Sequence, residues 1–134
     1  MYIKKVVEYD YNYAQYIVTD GKHDVECVCA SVPLPNEKEP ECGWEISKIY
    51  AFSVKGVIVK KITKENNMRD QIIKSLFNPL GYKLKGRILD SNNAIVQVYN
   101  FKIDLTDDYP DGMGEDFRND DYVEFSVDRL DCII

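Results

Sequence analysis

In three separate stretches of this chain the apolar residues fall at every second position. Tyr82, Leu84, Gly86 and Ile88 alternate with Lys83, Lys85 and Arg87. Phe101, Ile103 and Leu105 alternate with Lys102 and Asp104, and Val123, Phe125 and Val127 alternate with Glu124 and Ser126. Successive side chains of a strand point to opposite faces. The rhythm therefore demands a sheet with one apolar and one wet face, as in antiparallel strands. Val25, Cys27 and Cys29 repeat it around Glu26, with Val28 blurring the outer face. The segments 3–8, 13–19, 45–54 and 57–62 are less regular strand candidates.

Turn residues punctuate these strands. Asp20-Gly21 marks a hairpin, because Gly tolerates the positive φ of a tight turn, and Asp90-Ser91-Asn92-Asn93 marks another. Between Val98 and Phe101 the apolar parity switches, so Tyr99-Asn100 is a turn or a bulge that flips the face. One helix is predicted over 66–78. Met68, Ile72 and Leu76 recur at every fourth position, Ile73 and Phe77 widen the stripe, Asn66 or Asn67 can cap its start, and Pro79 stops it.

A chain of 134 residues fits one domain, 1–134, and can bury a core without metals or disulfides. The fold expected is mainly β: a small antiparallel barrel, OB-like or pseudo-twofold, of about eight strands with the one helix, the alternative being a two-sheet sandwich. The pseudo-twofold reading comes from a loose likeness between 1–54 and 82–134, joined by a basic strand-helix segment 55–81. Ala14, Tyr16 and Val18 match Ala94, Val96 and Val98, and Val25, Cys27 and Cys29 match Phe101, Ile103 and Leu105.

Charge is strongly segregated. Residues 55–87 carry nine basic and two acidic groups, whereas 88–134 carry three basic and twelve acidic. The whole chain has a net charge of −6. A duplex-binding protein is usually basic overall, which counts against that class. The two segments can instead pair with each other in the fold. No apolar run follows Lys4-Lys5 as in a signal peptide, and nothing approaches the roughly 18–20 apolar residues of a membrane-spanning helix. The expectation is a cytoplasmic protein with no membrane partner.

The chemistry-bearing residues are few. Cys27 and Cys29 share a strand face with Val25 and read as core. Cys42 and Cys132 do not supply the second close pair that a structural zinc site wants. His23, the lone histidine, sits on a hairpin tip without a nucleophile motif around it. Asp107, Asp108, Asp111, Glu115 and Asp116 lie in a long acidic loop with Gly112 and Gly114. They could offer oxygens to calcium or a carboxylate pair to a glycosidase, but their spacing fits neither an EF-hand nor any fixed catalytic distance. Lys83, Lys85 and Arg87 share one face of a strand, and Tyr9, Tyr11, Tyr13 and Tyr16 could stack bases beside such a groove. There is no glycine-rich phosphate loop. The reading is a non-enzymatic binding module without metal or cofactor, contacting an unknown partner through its acidic loops, 104–121 and 33–41. A single-strand nucleic-acid binder using the basic face, and a small-molecule binder or enzyme with a pocket at the barrel mouth, are the alternatives.

Overall fold

The computed structural model describes residues 2–10, 13–29 and 53–133, with side chains over 15–28 and 54–131. The 33–41 loop, Cys42 and the 45–52 part of one strand candidate lie outside the described residues. Among the described residues there are nine strands: β1 (Tyr2–Asp10), β2 (Tyr13–Thr19), β3 (Asp24–Cys29), β4 (Ser53–Lys64), β5 (Gln71–Lys74), β6 (Tyr82–Asp90), β7 (Ile95–Val98), β8 (Phe101–Asp104) and β9 (Tyr122–Ile133). The chain divides into two compact units. Met1–Ser53 with Asp131–Ile134 forms one, and Val54–Leu130 the other.

The described part of the first unit is built on an antiparallel meander. β1 pairs with β2, and β2 pairs with β3 in the register Ala14↔Cys29 to Thr19↔Asp24. The end of β9 adds a parallel contact at Val28↔Asp131. Tyr16, Val18, Val25 and Cys27 are buried, as their alternation requires. Asp20 makes the β2–β3 turn: its Oδ1 accepts the amides of Lys22 (2.8 Å) and His23 (2.7 Å), and Gly21 takes φ +101°. Partial burial pushes the Asp20 carboxyl up, but these two amides together with the His23 side chain outweigh it and hold it below its ordinary value.

The second unit contains a closed ring of five strands in the order β4-β8-β7-β6-β9, with β9 adjoining β4 again. β6, β7 and β8 form an antiparallel meander, β6 also pairs antiparallel with β9, and β4 runs parallel to β8 at Val54↔Ile103. The closed ring, rather than two separate sheets, is the architecture. Its interior holds Leu84, Ile88, Phe101, Ile103, Leu105 and Phe125, all within 1% of fully buried. Every one of them belongs to an alternating stretch or ends one. Gly86 is the exception in size: a Cβ there would run into the Gln97 carbonyl oxygen of β7, so the strands approach as they do only because that side chain is missing. Tyr99-Asn100 is the two-residue turn joining β7 and β8, with Tyr99 at φ 52°.

The predicted helix over 66–78 does not form. Gln71–Lys74 is instead a strand, laid antiparallel on β6 from Gln71↔Lys85 to Lys74↔Tyr82. The reason is local and tertiary together. Ile72 and Ile73 are β-branched and stiff, and β6 offers them a ladder. Directly after them Ser75 Oγ accepts the amides of Phe77 (3.3 Å) and Asn78 (3.2 Å), and Asn78 Oδ1 accepts that of Leu80 (3.1 Å). These bonds take the amides that a helix would use. The supposed core stripe is consequently turned outward: Met68, Ile73, Leu76 and Phe77 are exposed.

Candidate functional site

The basic and acidic segments meet each other. Lys55 pairs with Asp107 at 2.8 Å, Lys60 with Asp128 at 3.3 Å and Lys64 with Asp121 at 3.5 Å. Arg87 pairs with Asp120 at 3.4 Å, and Glu124 takes both Lys83 (2.8 Å) and Lys85 (3.7 Å). The β6↔β9 register sets the last of these, because Lys85 stands opposite Glu124 with Lys83 one step along the same face. Hydrogen bonding to Lys83 holds the Glu124 carboxyl below its ordinary value, and the same bond raises the Lys83 ammonium. The basic face formed by Lys83, Lys85 and Arg87 is thus real, but each of its cations faces a carboxylate. Tyr16, counted among the stacking tyrosines, is core.

The acidic loop is packed against the barrel. Met113 is buried, and its amide donates to the Ser91 carbonyl at 2.9 Å. The Asp120 amide donates to Ile88 at 2.8 Å, and the Ile88 amide donates back to Asp121 at 2.9 Å. Asp108 Oδ2 accepts the Val59 amide at 3.0 Å, next to Ile58, whose φ of 55° is unusual for a β-branched residue. Asp107 and Asp108 therefore tie the loop to β4. Asp111 and Glu115 face elsewhere, lining an open polar groove of about 780 Å³ with Phe117, Arg118, Ser91 and Asn92. Asp116 is exposed nearby. The five acids predicted to act together are split between two places. Among the described residues no group of three or more His, Cys, Asp or Glu side chains is gathered as a metal ion needs. No helix among them is long and apolar enough to cross a membrane.

Among the described residues the most exposed apolar surface lies at the β5–β6 connection. Leu76 is 94% and Phe77 97% exposed. Single exposed apolar residues are ordinary, but two adjacent ones fully extended into water are not. They are held there by a bonded frame. Besides the Ser75 and Asn78 bonds above, the Ser75 amide donates to Gly81 (2.9 Å), the Gly81 amide donates to Asn78 (3.0 Å), and Asn78 Nδ2 donates to the Asp128 carbonyl (3.0 Å). Beneath the tip is a cleft of about 310 Å³. Ile73, Leu76 and Phe77 supply most of its exposed apolar lining, Tyr82 and Val127 line it but are nearly buried, and Lys83 and Asp128 stand among its polar members. The periodicity of 68–77 concealed this site, because the same residues read as one face of a helix. The signals that could have revealed it are Ser75-Leu76-Phe77-Asn78-Pro79, a turn-forming frame around two large apolar residues.

No family model, no curated protein and no solved structure matches this chain.

Proposed function

We propose that this chain is a binding module whose docking surface is the apolar β5–β6 tip and the cleft beneath it. The observation that carries this reading is the pair Leu76 and Phe77, almost wholly exposed on a connection fixed by hydrogen bonds at both ends. A tip whose backbone is already ordered loses less conformational freedom when it is covered, so less of the free energy of burial is offset on binding. The acidic 104–121 loop then serves mainly as a brace, and the contact surface moves away from it. The reading carries no catalytic group and is cytoplasmic. The five-strand closure supports an OB-like description. The similar meanders β1-β2-β3 and β6-β7-β8 support a duplicated unit.

The nucleic-acid reading is weakened by the carboxylates facing Lys83, Lys85 and Arg87. A small-molecule reading keeps one specific support, the polar groove holding Asp111, Glu115 and Arg118. Photo-crosslinking in intact cells separates the three. A benzophenone side chain is placed in turn at positions 77, 111 and 85. Adducts with protein from position 77, several-fold above the other two, are expected. Adducts from 111 or 85 with none from 77 would overturn the docking reading, as would none from any position.

A further inference from the structure

We infer that the barrel opens at one seam, between β4 and β8, and that the acidic loop is the latch holding that seam shut. Among the described residues β4 and β8 share only the pairs Val54↔Ile103 and Lys55↔Asp104, whereas β6 and β9 share six, from Tyr82↔Val127 to Arg87↔Tyr122. The short ladder is parallel, and parallel pairing is slightly weaker per residue. β8 ends at Asp104, while β4 runs on to Lys64. Beyond the ladder, side chains of the loop take over from β8. Asp107 reaches Lys55 at 2.8 Å, and Asp108 Oδ2 accepts the Val59 amide at 3.0 Å. The loop is anchored on the far side of the seam. The Leu105 amide donates to the Ala94 carbonyl at 2.8 Å, and the Leu105 carbonyl accepts the Tyr109 amide at 3.0 Å.

The strand that the latch holds is under strain. Ile58 has φ 55° and Lys61 φ 54°, so two residues with side chains sit in the left-handed region on either side of the Val59 amide. That region costs any residue but Gly free energy, and a β-branched one most. Once β4 leaves the seam, both residues return to the extended region, so the strain favours opening and the two aspartates oppose it. Gly56 makes the closed arrangement tight, since a Cβ there would lie 2.8 Å from Leu105 Cδ2. Opening uncovers Val54, Ile103 and Leu105, all buried in the closed ring. It leaves the β6-β7-β8 meander and the β6–β9 ladder intact, because none of their pairs includes β4. The result is a gate built into the fold. Whatever draws Asp107 and Asp108 off β4 releases this seam before any other.

Native-state amide exchange, followed by NMR on the full chain in increasing urea, tests the gate. Amides of the β4–β8 ladder are expected to exchange roughly tenfold or more faster than those of the β6–β9 ladder, with a weaker dependence on urea, because opening exposes less surface than unfolding. Asp108→Ala removes a hydrogen bond absent from both the open and the unfolded state, so it should speed both sets by roughly tenfold. Lys61→Gly relieves strain at an exposed side chain and should slow both sets several-fold. Asp70→Ala breaks a bond to Tyr99 that the open state keeps, so it should speed the β6–β9 amides and leave the seam unchanged. Equal rates and equal urea dependence in the two ladders would overturn the gate, since the ring would then open only by unfolding. So would seam exchange that Asp108→Ala leaves at the wild-type rate, or that Lys61→Gly speeds. Should Asp108→Ala fail to fold, the wild-type rates and Lys61→Gly decide alone.

Discussion

Replacing Gly86 by alanine adds one methyl group at the place where the barrel has least room for it. The new Cβ would collide with the Gln97 carbonyl oxygen and lie 2.8 Å from Val98 Cγ2 and 2.9 Å from the Gln97 carbonyl carbon. Two of the three atoms are backbone, and the register Arg87↔Gln97 holds them in the ladder. A side chain could rotate away, but a laddered carbonyl retreats only if β6 and β7 separate. Overpacking a core costs about 1–3 kcal/mol where side chains can adjust, and a fixed obstacle puts the loss at or above the upper end, about 3 kcal/mol or more. Domains have only about 5–15 kcal/mol in total, so the melting temperature should drop by roughly 10 °C or more. Gly114→Ala is the matched control. It adds the same methyl at φ +88° with nothing within 4 Å, so it incurs only the left-handed backbone penalty of about 1–2 kcal/mol. Urea denaturation of both variants reads the two losses. If Gly86→Ala unfolds within 1 kcal/mol of wild type, or is milder than Gly114→Ala, the close approach of β6 to β7 is not what sets this barrel's geometry.

Three further outcomes follow from the side-chain bonds. The Glu124 carboxyl is depressed by Lys83, so its contribution to stability is present above the ordinary carboxylate range and is lost as pH falls through its lowered value. Glu124→Gln should flatten the acid limb of a plot of stability against pH, and an unchanged limb would contradict the pairing. Asp70 Oδ2 accepts the Tyr99 amide at 2.7 Å, and the Asp70 carbonyl accepts Tyr99 Oη–H at 2.8 Å. Asp70→Ala removes the first of these bonds, leaves the backbone carbonyl of the second, and should cost about 1–2 kcal/mol in chemical denaturation, with greater loss of amide protection at the β7–β8 turn than elsewhere. Asp107→Ala removes an ion pair open to solvent and should change stability by less than about 1 kcal/mol. Asp108→Ala frees the Val59 amide and should cost more than Asp107→Ala, the order being read from paired urea melts.

Much of the barrel was legible because its strands alternate cleanly. β6 is buried at Tyr82, Leu84, Gly86 and Ile88 and turned outward at Lys83 and Arg87, as period two requires. The Tyr99-Asn100 turn was legible from a change of parity alone. The 66–78 segment was not, because a four-residue spacing of Met68, Ile72 and Leu76 fits a helix and gives no sign of the edge that β6 presents. Closure into a barrel was expected, but the order of strands around the ring was hidden, since nothing in β4 names β8 or β9 as neighbours. The long acidic loop showed its charge but not its partners. Asp107, Asp120 and Asp121 face cations far away in sequence, a pairing that the segregation of charge permits without specifying which residue meets which. The apolar tip was the clearest failure: two residues assigned to the interior, Leu76 and Phe77, are among the most exposed of those described.

The ring order places β4, the first strand of the barrel, against β8 and β9, the last two. A nascent chain emerging from a ribosome can therefore assemble β6, β7 and β8 by short hairpins, yet must hold their oily faces uncovered until the final strand has been synthesised. Shortening the chain before Leu130 should leave the translated part prone to clumping, and slow decoding late in the message should lengthen the period in which chaperones are needed.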